Sequence, residues 1–453
     1  MKVILSRKGF DSSYGGFPSI ILPDGKMISF PIPESDPNCD GKYAKDLKYK
    51  INNKKELSLS LEDYLEKLDI KKKIKIPDFK DATNRKGLDW DYNGINYRTK
   101  FHYDPKIQQI DIPDNKGPAQ FATFGQSGAA AGHLVNNKIS PDGLKGDPAL
   151  FLFFGLFQKT EWEDENHTKL KTIGKPFHAI WGYLIATGAI NISSYIENNE
   201  KNFNQCKCFE EDDKEDIVNE IKKHPHFINR YFYKHTPQKN KDYFLKNIIF
   251  WGKRFGTFNF DEKTEKYLRL SDIDNSNNLT DWLIPKFITK MTYNSTSIKE
   301  SRKNNNFIDD KLKIRAASKG QEFVITKADK AEMKKWLEKI GIAEDYLYHI
   351  EMTLLRKADT KLPVNIWIDE TDIATHPKVL FQNNNTDKFT AEKDLIPISV
   401  EERPKVLMQD YSLEISAGDF EKITNFISSN RTAILRYIQD TSFGITDLFK
   451  NIT

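Results

Sequence analysis

Cysteine is scarce in this chain, and long apolar runs are missing. The 453 residues include three cysteines, Cys39, Cys206 and Cys208. An odd and sparse set argues against a disulfide framework and favours a reducing compartment. The first residues become charged within a few positions, so we expect no secretory signal core. The longest apolar run, at 149–157, is too short to span a bilayer. We therefore expect a soluble cytoplasmic protein without a membrane partner.

An excess of charge of one sign is also missing. The 69 Lys and Arg residues nearly balance 65 Asp and Glu, and the formal net charge is +4. Bulk electrostatic binding of nucleic acid is therefore not indicated, although a local basic patch stays open. Apolar residues make up 38% of the chain and include 30 Phe, 18 Tyr and 7 Trp. That composition is enough for a sizeable core and argues against global disorder.

The order of predicted elements indicates an α+β protein with two domains. A single core rarely grows past about 250–300 residues, so a chain of this length needs more than one. Residues 1–342 are interpreted as a large mixed α/β domain. Residues 343–453 begin again with strands that are followed by helices, which is typical of a small α+β domain. We expect the small domain to be an accessory that contacts a protein partner or nucleic acid.

Apolar spacing predicts the local elements of the large domain. Nearly continuous apolar runs at 149–157 and 177–185 favour buried strands. A stripe of leucine and tyrosine predicts a helix over 56–68, with Ser58 as its N-cap. Small residues followed by an apolar stripe over 121–134 indicate a loop that enters a helix.

Residues 6–16 form the first polar constellation. A predicted strand leads into a loop that carries Arg7, Lys8, Asp11 and Ser12. Cations and backbone N–H groups suit phosphate oxygens, and a carboxylate suits a ribose hydroxyl or a proton. The spacing matches neither a Walker loop nor a dinucleotide fingerprint. A solvated hairpin loop closed by an Arg7–Asp11 ion pair is the alternative.

Histidines mark two further candidate sites. His102 and Asp104 are two positions apart on a predicted strand, so they point the same way, which suits acid/base or metal chemistry. A hydrogen-bonded surface histidine is the alternative. His178 interrupts an apolar strand, and such a residue must be hydrogen-bonded in the core or placed at a site. Both interpretations of His178 stay open.

The pair His224 and His226 follows Cys206 and Cys208 and raises the question of zinc. A site of two cysteines and two histidines is conceivable. The C-x-C and H-x-H spacings differ from the usual zinc spacings, and the acidic segment between them has an exposed character. The prediction is therefore that the chain has no metal site.

Gln321 and Glu322 follow Gly320 at a predicted strand start. An amide beside a carboxylate can be presented to a base edge or a sugar at such a position. An ordinary strand-entry turn is the alternative interpretation.

Taken in order, these segments resemble the nucleotide modification associated domain 3 family. The resemblance covers roughly residues 1–340. The motifs that carry it are the loop at 6–16, Asp104-Pro105, Phe124-Gly125-Gln126, Gly146-Asp147, residues 152–155 and 177–182, His224-Pro225-His226 and residues 320–324.

The resemblance implies a bacterial or phage system that makes or handles modified nucleotides. It implies a nucleotide or nucleic acid as partner and identifies no cofactor. An enzyme that acts on a nucleotide or base is expected, with a non-catalytic reader of modified nucleotides and an assembly subunit as alternatives. The implied site has Asp11, Asp104 and His178 as catalytic residues and Arg7, Lys8, Ser12, Gln126, Gln321 and Glu322 as nucleotide-binding residues.

Overall fold

A computed structural model divides the chain into two compact units, Lys2–Ile340 and Gly341–Thr453, with Met1 grouped with the second. The residues whose structure is described are 2–12, 14–34, 39–50, 58–76, 87–92, 95–108, 110–111, 121–141, 143–144, 148–192, 214–229, 247–272, 278–293, 296–297, 307–308, 311–316, 321–342, 352–355, 357–369, 377–383, 395–408, 411–439, 448 and 450–452.

The larger unit is rich in strands. They are β1 (Lys2–Arg7), β2 (Ser19–Ile21), β3 (Met27–Ile28), β4 (Ile32–Pro33), β5 (Lys42–Tyr43), β6 (Lys48–Lys50), β7 (Ser58–Ser60), β8 (Asp89–Tyr92), β9 (Ile95–Arg98), β10 (Lys100–His102), β11 (Ile110–Asp111), β12 (Ala122–Ser127), β13 (Ala149–Trp162), β14 (Leu170–Ala186), β15 (Gly188–Asn191), β16 (Asn247–Gly252), β17 (Arg254–Thr257), β18 (Asp281–Pro285), β19 (Ile288–Tyr293), β20 (Thr296–Ser297), β21 (Phe307–Ile308), β22 (Lys311–Arg315) and β23 (Glu322–Ala328).

Short helices accompany these strands. They are α1 (Leu61–Lys67), α2 (Gly128–Asn136), α3 (Lys214–Lys222), α4 (Pro225–Ile228), α5 (Glu265–Leu268) and α6 (Lys330–Lys339), and a 3-10 turn lies at Ala44–Asp46. None of the helices in the described part of the chain has the length and apolar character needed to cross a membrane.

One large sheet organises the larger unit. Its strand order is β17-β14-β13-β1-β23-β19-β20, with β2 and β3 joined to it beside β13. Strand β1 runs parallel to β13 and antiparallel to β23, which places Ser6 between Phe153 and Glu322. The two apolar runs predicted as buried strands form β13 and β14, so that prediction is confirmed. The centre of this sheet is therefore buried, and it carries Glu322 on a central strand.

Smaller sheets cover the large sheet on its two faces. On one face, β12 belongs to the sheet β12-β16-β15, and the Phe124 ring packs 4.9 Å from Phe151 and 5.2 Å from Phe153 between ring centroids. On the other face, Trp282 of β18 packs 5.1 Å from Phe154 and 5.3 Å from Phe323. Because successive residues of a strand point to opposite faces, Ser6 and Arg7 project into different layers.

Two local predictions are wrong in their details. The segment 121–134 is not a loop into a helix: β12 pairs residue by residue with β16 before α2 begins. The helix predicted over 56–68 begins only at Leu61, because residues 58–60 pair with β6. Ser60 rather than Ser58 is the N-cap, and its Oγ accepts a hydrogen bond from the Asp63 N–H at 3.1 Å. Tertiary strand pairing overrides the local pattern in both places.

The smaller unit is a four-stranded antiparallel sheet with helices. Its core includes Val364, Ile366, Phe381, Ile423 and Ile434. The α+β fold class predicted for the chain is confirmed. A role for this unit in partner contact stays a prediction. The elements are β24 (Met352–Leu355), α7 (Lys357–Thr360), β25 (Ile366–Asp369), β26 (Lys378–Gln382), β27 (Leu395–Ser399), α8 (Ala417–Ser429) and α9 (Arg431–Gln439).

Replacing the N-cap of α1 should lower the stability of the larger unit. Ser60→Ala removes the oxygen that accepts from Asp63, and we expect a loss of about 1 kcal/mol in the free energy of unfolding measured with urea. Ser60→Thr keeps a hydroxyl oxygen and should retain most of the wild-type stability. Equal stability of Ser60→Ala and wild type would contradict this assignment of the cap.

Candidate functional site

A buried group of polar side chains lies where β1 ends, β12 ends and β23 begins. Its members come from segments that are far apart in sequence. Hydrogen bonds join one group around Glu322, and ion pairs and a ring contact join a second group around Asp104. The charges of Lys8 and Asp104 act on Glu322 and couple the two groups. The end of β10 with the residues that follow it, and α4 with its N-cap, supply the remaining members. We call the following side chains the polar cluster: Ser6, Lys8, His102, Asp104, Gln126, His224, His226 and Glu322.

Glu322 is held by one of its two carboxyl oxygens. Ser6 Oγ donates to Glu322 Oε1 at 2.8 Å, and Gln126 Nε2 donates to the same oxygen. The second oxygen, Oε2, is buried and has no hydrogen-bond partner among the described residues. Burial raises the pKa of Glu322 to about 7, against the opposing charge of Lys8 and the bonds from Gln126 and Ser6. The negative charge of Asp104 adds to the rise. This carboxyl can therefore gain or lose a proton near neutral pH.

Asp104 is the second buried carboxyl of the cluster, and it behaves in the opposite way. Its side chain is 1% exposed. Oδ1 accepts from the Gly125 N–H at 2.9 Å and from His224 Nε2 at 3.2 Å, and Lys8 Nζ lies 3.2 Å from Oδ2. Burial alone would raise the pKa of Asp104, but Lys8 and His224 outweigh it and hold the pKa well below its usual value. Asp104 is therefore a permanent negative charge.

The His224 ring is fixed at both nitrogens. Its Nδ1 accepts from the backbone N–H of His226 at 3.2 Å, as the N-cap of α4. Because Nδ1 is the acceptor, the ring proton sits on Nε2, which donates to Asp104. Burial lowers the pKa of His224 to about 4, so the ring is neutral. The neutral His224 ring therefore donates a hydrogen bond to Asp104 and holds that carboxylate in position.

The His102 and His226 rings meet edge to face, with 5.0 Å between their centroids. Glu34 Oε1 lies 2.8 Å from His102 Nδ1, and Asn247 Oδ1 lies 2.7 Å from His226 Nδ1. Burial acts to lower the pKa of His102, but the Glu34 carboxylate raises it above the ordinary value. Burial and the neighbouring His102 lower the pKa of His226 well below its ordinary value. The pKa values of these two rings are thus shifted in opposite directions although the rings are in contact.

Gly125 allows the histidines to approach β12. A Cβ at this position would lie 2.4 Å from His226 Cδ2 and 2.6 Å from His224 Cε1. The Gly125 N–H donates to Asp104, and its carbonyl oxygen lies 3.3 Å from Lys8 Nζ. A residue without a side chain is required here because imidazole rings fill the space that a Cβ would take.

Four of the predicted site residues come together in the polar cluster: Lys8, Asp104, Gln126 and Glu322. Arg7 and His178 lie in the other layer and flank the Phe154 ring, with centroid distances of 5.5 Å from the Arg7 guanidinium and 5.9 Å from the His178 ring. Trp282 Nε1 donates to His178 Nδ1 at 3.1 Å. Burial lowers the pKa of His178 to about 3, with a smaller effect of Arg7. His178 is thus placed as a hydrogen-bonded core histidine.

The remaining predicted residues lie outside the polar cluster. Asp11 Oδ1 accepts from the Tyr14 N–H at 2.7 Å and stabilises the turn of its loop. Ser12 and Gln321 are exposed. The Gln321 carbonyl accepts from the Arg7 N–H at 2.7 Å. These contacts place Asp11 within its own turn and place the Gln321 backbone next to Glu322, in the pairing of β1 with β23.

The sequence did not identify six residues of the cluster and its surroundings as site residues: Ser6, Glu34, His102, His224, His226 and Asn247. The spacing of His102 and Asp104 and the pair His224 and His226 were the available signals, and they were not joined to each other. Cys206 and Cys208, considered with that pair for zinc, lie outside the described residues.

The chain matches the family model described as "Nucleotide modification associated domain 3" over residues 2–326. That match spans more than half of the chain, so the chain belongs to this family. The resemblance inferred from the sequence motifs is confirmed. Comparison with curated proteins and with solved structures gave no match. Membership associates the chain with systems that modify nucleotides.

Gly125→Ala should disturb the cluster. The added methyl group must displace the His224 and His226 rings, and we expect about 1–3 kcal/mol lower stability together with shifted histidine ring resonances in NMR spectra. Gly418→Ala is the matched control, since a Cβ there meets nothing within 4 Å. Wild-type stability and unchanged ring resonances in Gly125→Ala would contradict the close approach.

Glu322→Gln should change how stability depends on pH. The raised pKa means that the folded state binds this proton more tightly than the unfolded state, so wild type loses stability as pH rises from about 4.5 through about 7. The variant cannot ionise and lacks this loss. The variant's stability relative to wild type should therefore increase by about 3 kcal/mol between pH 4.5 and pH 8 in urea unfolding. A pH-independent difference would contradict the raised pKa.

Proposed function

We propose that this protein is an enzyme that modifies a nucleotide, or a base of nucleic acid, with Glu322 as the acid/base group that transfers a proton during the reaction. Membership of the nucleotide modification family supports the substrate class. The observation that carries the proposal is the carboxyl of Glu322, with Oε1 held by two donors and Oε2 without a hydrogen-bond partner in the described part of the chain.

The pKa of Glu322 supports a catalytic role rather than a packing role. General acid/base catalysis is most effective when the pKa of the group lies near the working pH. Burial raises the pKa of Glu322 to about 7, and such shifted groups concentrate at functional sites. In the proposed mechanism Oε2 gives a proton to, or takes one from, a substrate atom, while Ser6 and Gln126 keep the carboxyl in one orientation.

Lys8 supplies the positive charge of the proposed site. Its side chain is 13% exposed, so it is the member of the Lys8–Asp104 pair that reaches solvent. An ammonium group suits a phosphate oxygen or a negative charge that develops on the substrate. In this proposal Asp104 and Gly125 orient Lys8, and His224 acts on Lys8 only through Asp104. Gln126 holds the Glu322 carboxyl instead of reading a base.

The proposal gives Arg7 and His178 no direct part in the reaction. They lie in the other layer of the unit, where Trp282 fixes the His178 ring. Asp11, Ser12 and Gln321 lie outside the polar cluster, and their contact with a substrate stays a prediction.

Nucleoside mass spectrometry tests the proposal. DNA and nucleotide pools should be compared between cells that express wild type, Glu322→Gln or Glu165→Gln, the last being an exposed control. We expect a changed nucleoside with wild type and with the control. With Glu322→Gln, the yield of that nucleoside should fall by about 100-fold or more. The same yield with Glu322→Gln as with wild type would contradict the proposal.

Binding assays with the purified chain separate the enzyme from the non-catalytic reader. A reader binds a nucleotide or duplex and leaves it unchanged, and its affinity for duplex falls steeply with salt. If the purified chain binds a nucleotide or duplex and leaves it unchanged, and the nucleosides of expressing cells are also unchanged, the protein is that reader and not the proposed enzyme.

A further inference from the structure

We propose that His102, Asp104 and His226 bind one divalent transition-metal ion. Their ligand atoms lie within 4.8 Å of one another in the described chain. The site is part of the polar cluster, and its meaning for catalysis rests on the proposed function. Metal binding itself can be measured without any substrate.

The types of donor atom define the class of ion. Two imidazoles and one carboxylate suit Zn²⁺ or Fe²⁺, whereas Mg²⁺ and Ca²⁺ prefer oxygen ligands throughout. Three protein ligands leave coordination positions for water or for a substrate oxygen, which the ion would polarise. The donor set therefore fits a catalytic centre better than a closed structural site.

The orientation of both rings is the second argument. A metal-binding histidine usually donates its other ring N–H to a carboxylate or carbonyl oxygen, which fixes the ring and its tautomer. Glu34 is placed for this at His102 Nδ1, 2.8 Å away, and Asn247 at His226 Nδ1, 2.7 Å away. Asn247 Nδ2 donates to the His226 carbonyl oxygen at 3.1 Å, so the Asn247 oxygen faces the ring. This arrangement puts the ring proton on Nδ1 and makes Nε2 the atom that would bind the metal.

The contact between His226 and Asp104 is the third argument. His226 Nε2 lies 3.9 Å from Asp104 Oδ2. With the proton on Nδ1, this nitrogen presents a lone pair to a carboxylate oxygen, and two acceptors that face each other are stabilised by a cation between them. Ligand bonds of about 2.0–2.2 Å place two ligands of one ion about 3.0–3.5 Å apart. The two atoms would need to approach by roughly half an ångström.

Lys8 is compatible with the ion and limits its affinity. Lys8 Nζ lies 3.2 Å from Asp104 Oδ2, and also 3.3 Å from the Gly125 carbonyl oxygen and 4.3 Å from the Phe124 ring centroid. A carboxylate oxygen has two lone pairs, so Oδ2 can accept from Lys8 and bind a metal at the same time. The two positive charges repel each other, so removing the ammonium should not weaken metal binding.

His224 lies next to the proposed ligands but is not a ligand of the proposed metal site. Its Nδ1 accepts from the His226 N–H, and its Nε2 donates to Asp104 Oδ1. Both of its nitrogens are therefore engaged, and it positions the ligand Asp104 without binding the ion.

Zn²⁺ titration of the purified full chain tests the inference. The chain is first stripped with a chelator, and binding is followed by calorimetry and by metal analysis after dialysis. We expect one tight site per chain, with affinity at least about 100-fold lower in His226→Gln and His102→Gln. Glu34→Ala should weaken binding about 10–100-fold.

Two variants serve as controls. His178→Gln removes another buried histidine in the other layer and should bind Zn²⁺ as wild type does. Lys8→Gln should bind as tightly as wild type or more tightly, and circular dichroism should verify that each variant is folded. Failure of wild type to bind more tightly than a folded His226→Gln or His102→Gln variant overturns the site.

The outcomes distinguish this inference from the proposed function. Stoichiometric Zn²⁺ binding without any nucleoside change supports the metal site and overturns the enzyme. Absent Zn²⁺ binding by the purified wild type, together with a nucleoside change in cells that persists with His226→Gln, overturns the metal site and leaves the enzyme.

Discussion

The buried carboxylate of Asp104 is the constraint on which the polar cluster depends. A buried charge without partners costs several kcal/mol, so its neighbours must supply donors and positive charge. Lys8, the Gly125 N–H and His224 do so, and each belongs to a different segment of the larger unit. Asp104 thus ties the end of β1, the middle of β12 and the start of α4 to one point. Burial is the main cause of the raised pKa of Glu322, and the charge of Asp104 adds to the rise.

The two longest strands of the large sheet could be predicted because each contains a nearly continuous apolar run. The apolar runs of β13 and β14 are long enough to indicate buried strands without tertiary information. The start of α1 could not be predicted, because β7 takes residues 58–60 through pairing with β6. Similarly, β12 has the composition of a loop and becomes a strand because β16 lies beside it. Pairing between distant segments decides such boundaries, and a local pattern does not contain it.

The candidate site could be predicted only in part, for the same reason. Gln126 and Glu322 are 196 positions apart in sequence and still share a hydrogen bond. Both residues can be selected as candidates because they are polar. Residue type alone does not show, however, that Arg7 and Ser6 point to opposite faces of β1. The roles of the histidines depend on Glu34 and Asn247, whose contacts arise only when β10 and β16 are in place.

The central claim is that two buried carboxyls in one cluster have pKa values shifted in opposite directions, that of Glu322 upward and that of Asp104 downward. Carbon-13 NMR of labelled carboxyl groups across a pH titration tests this most directly. The account predicts that Glu322 titrates with a midpoint of about 7, while Asp104 remains ionised to far lower pH. A Glu322 midpoint near its ordinary value of 4.5 would contradict it.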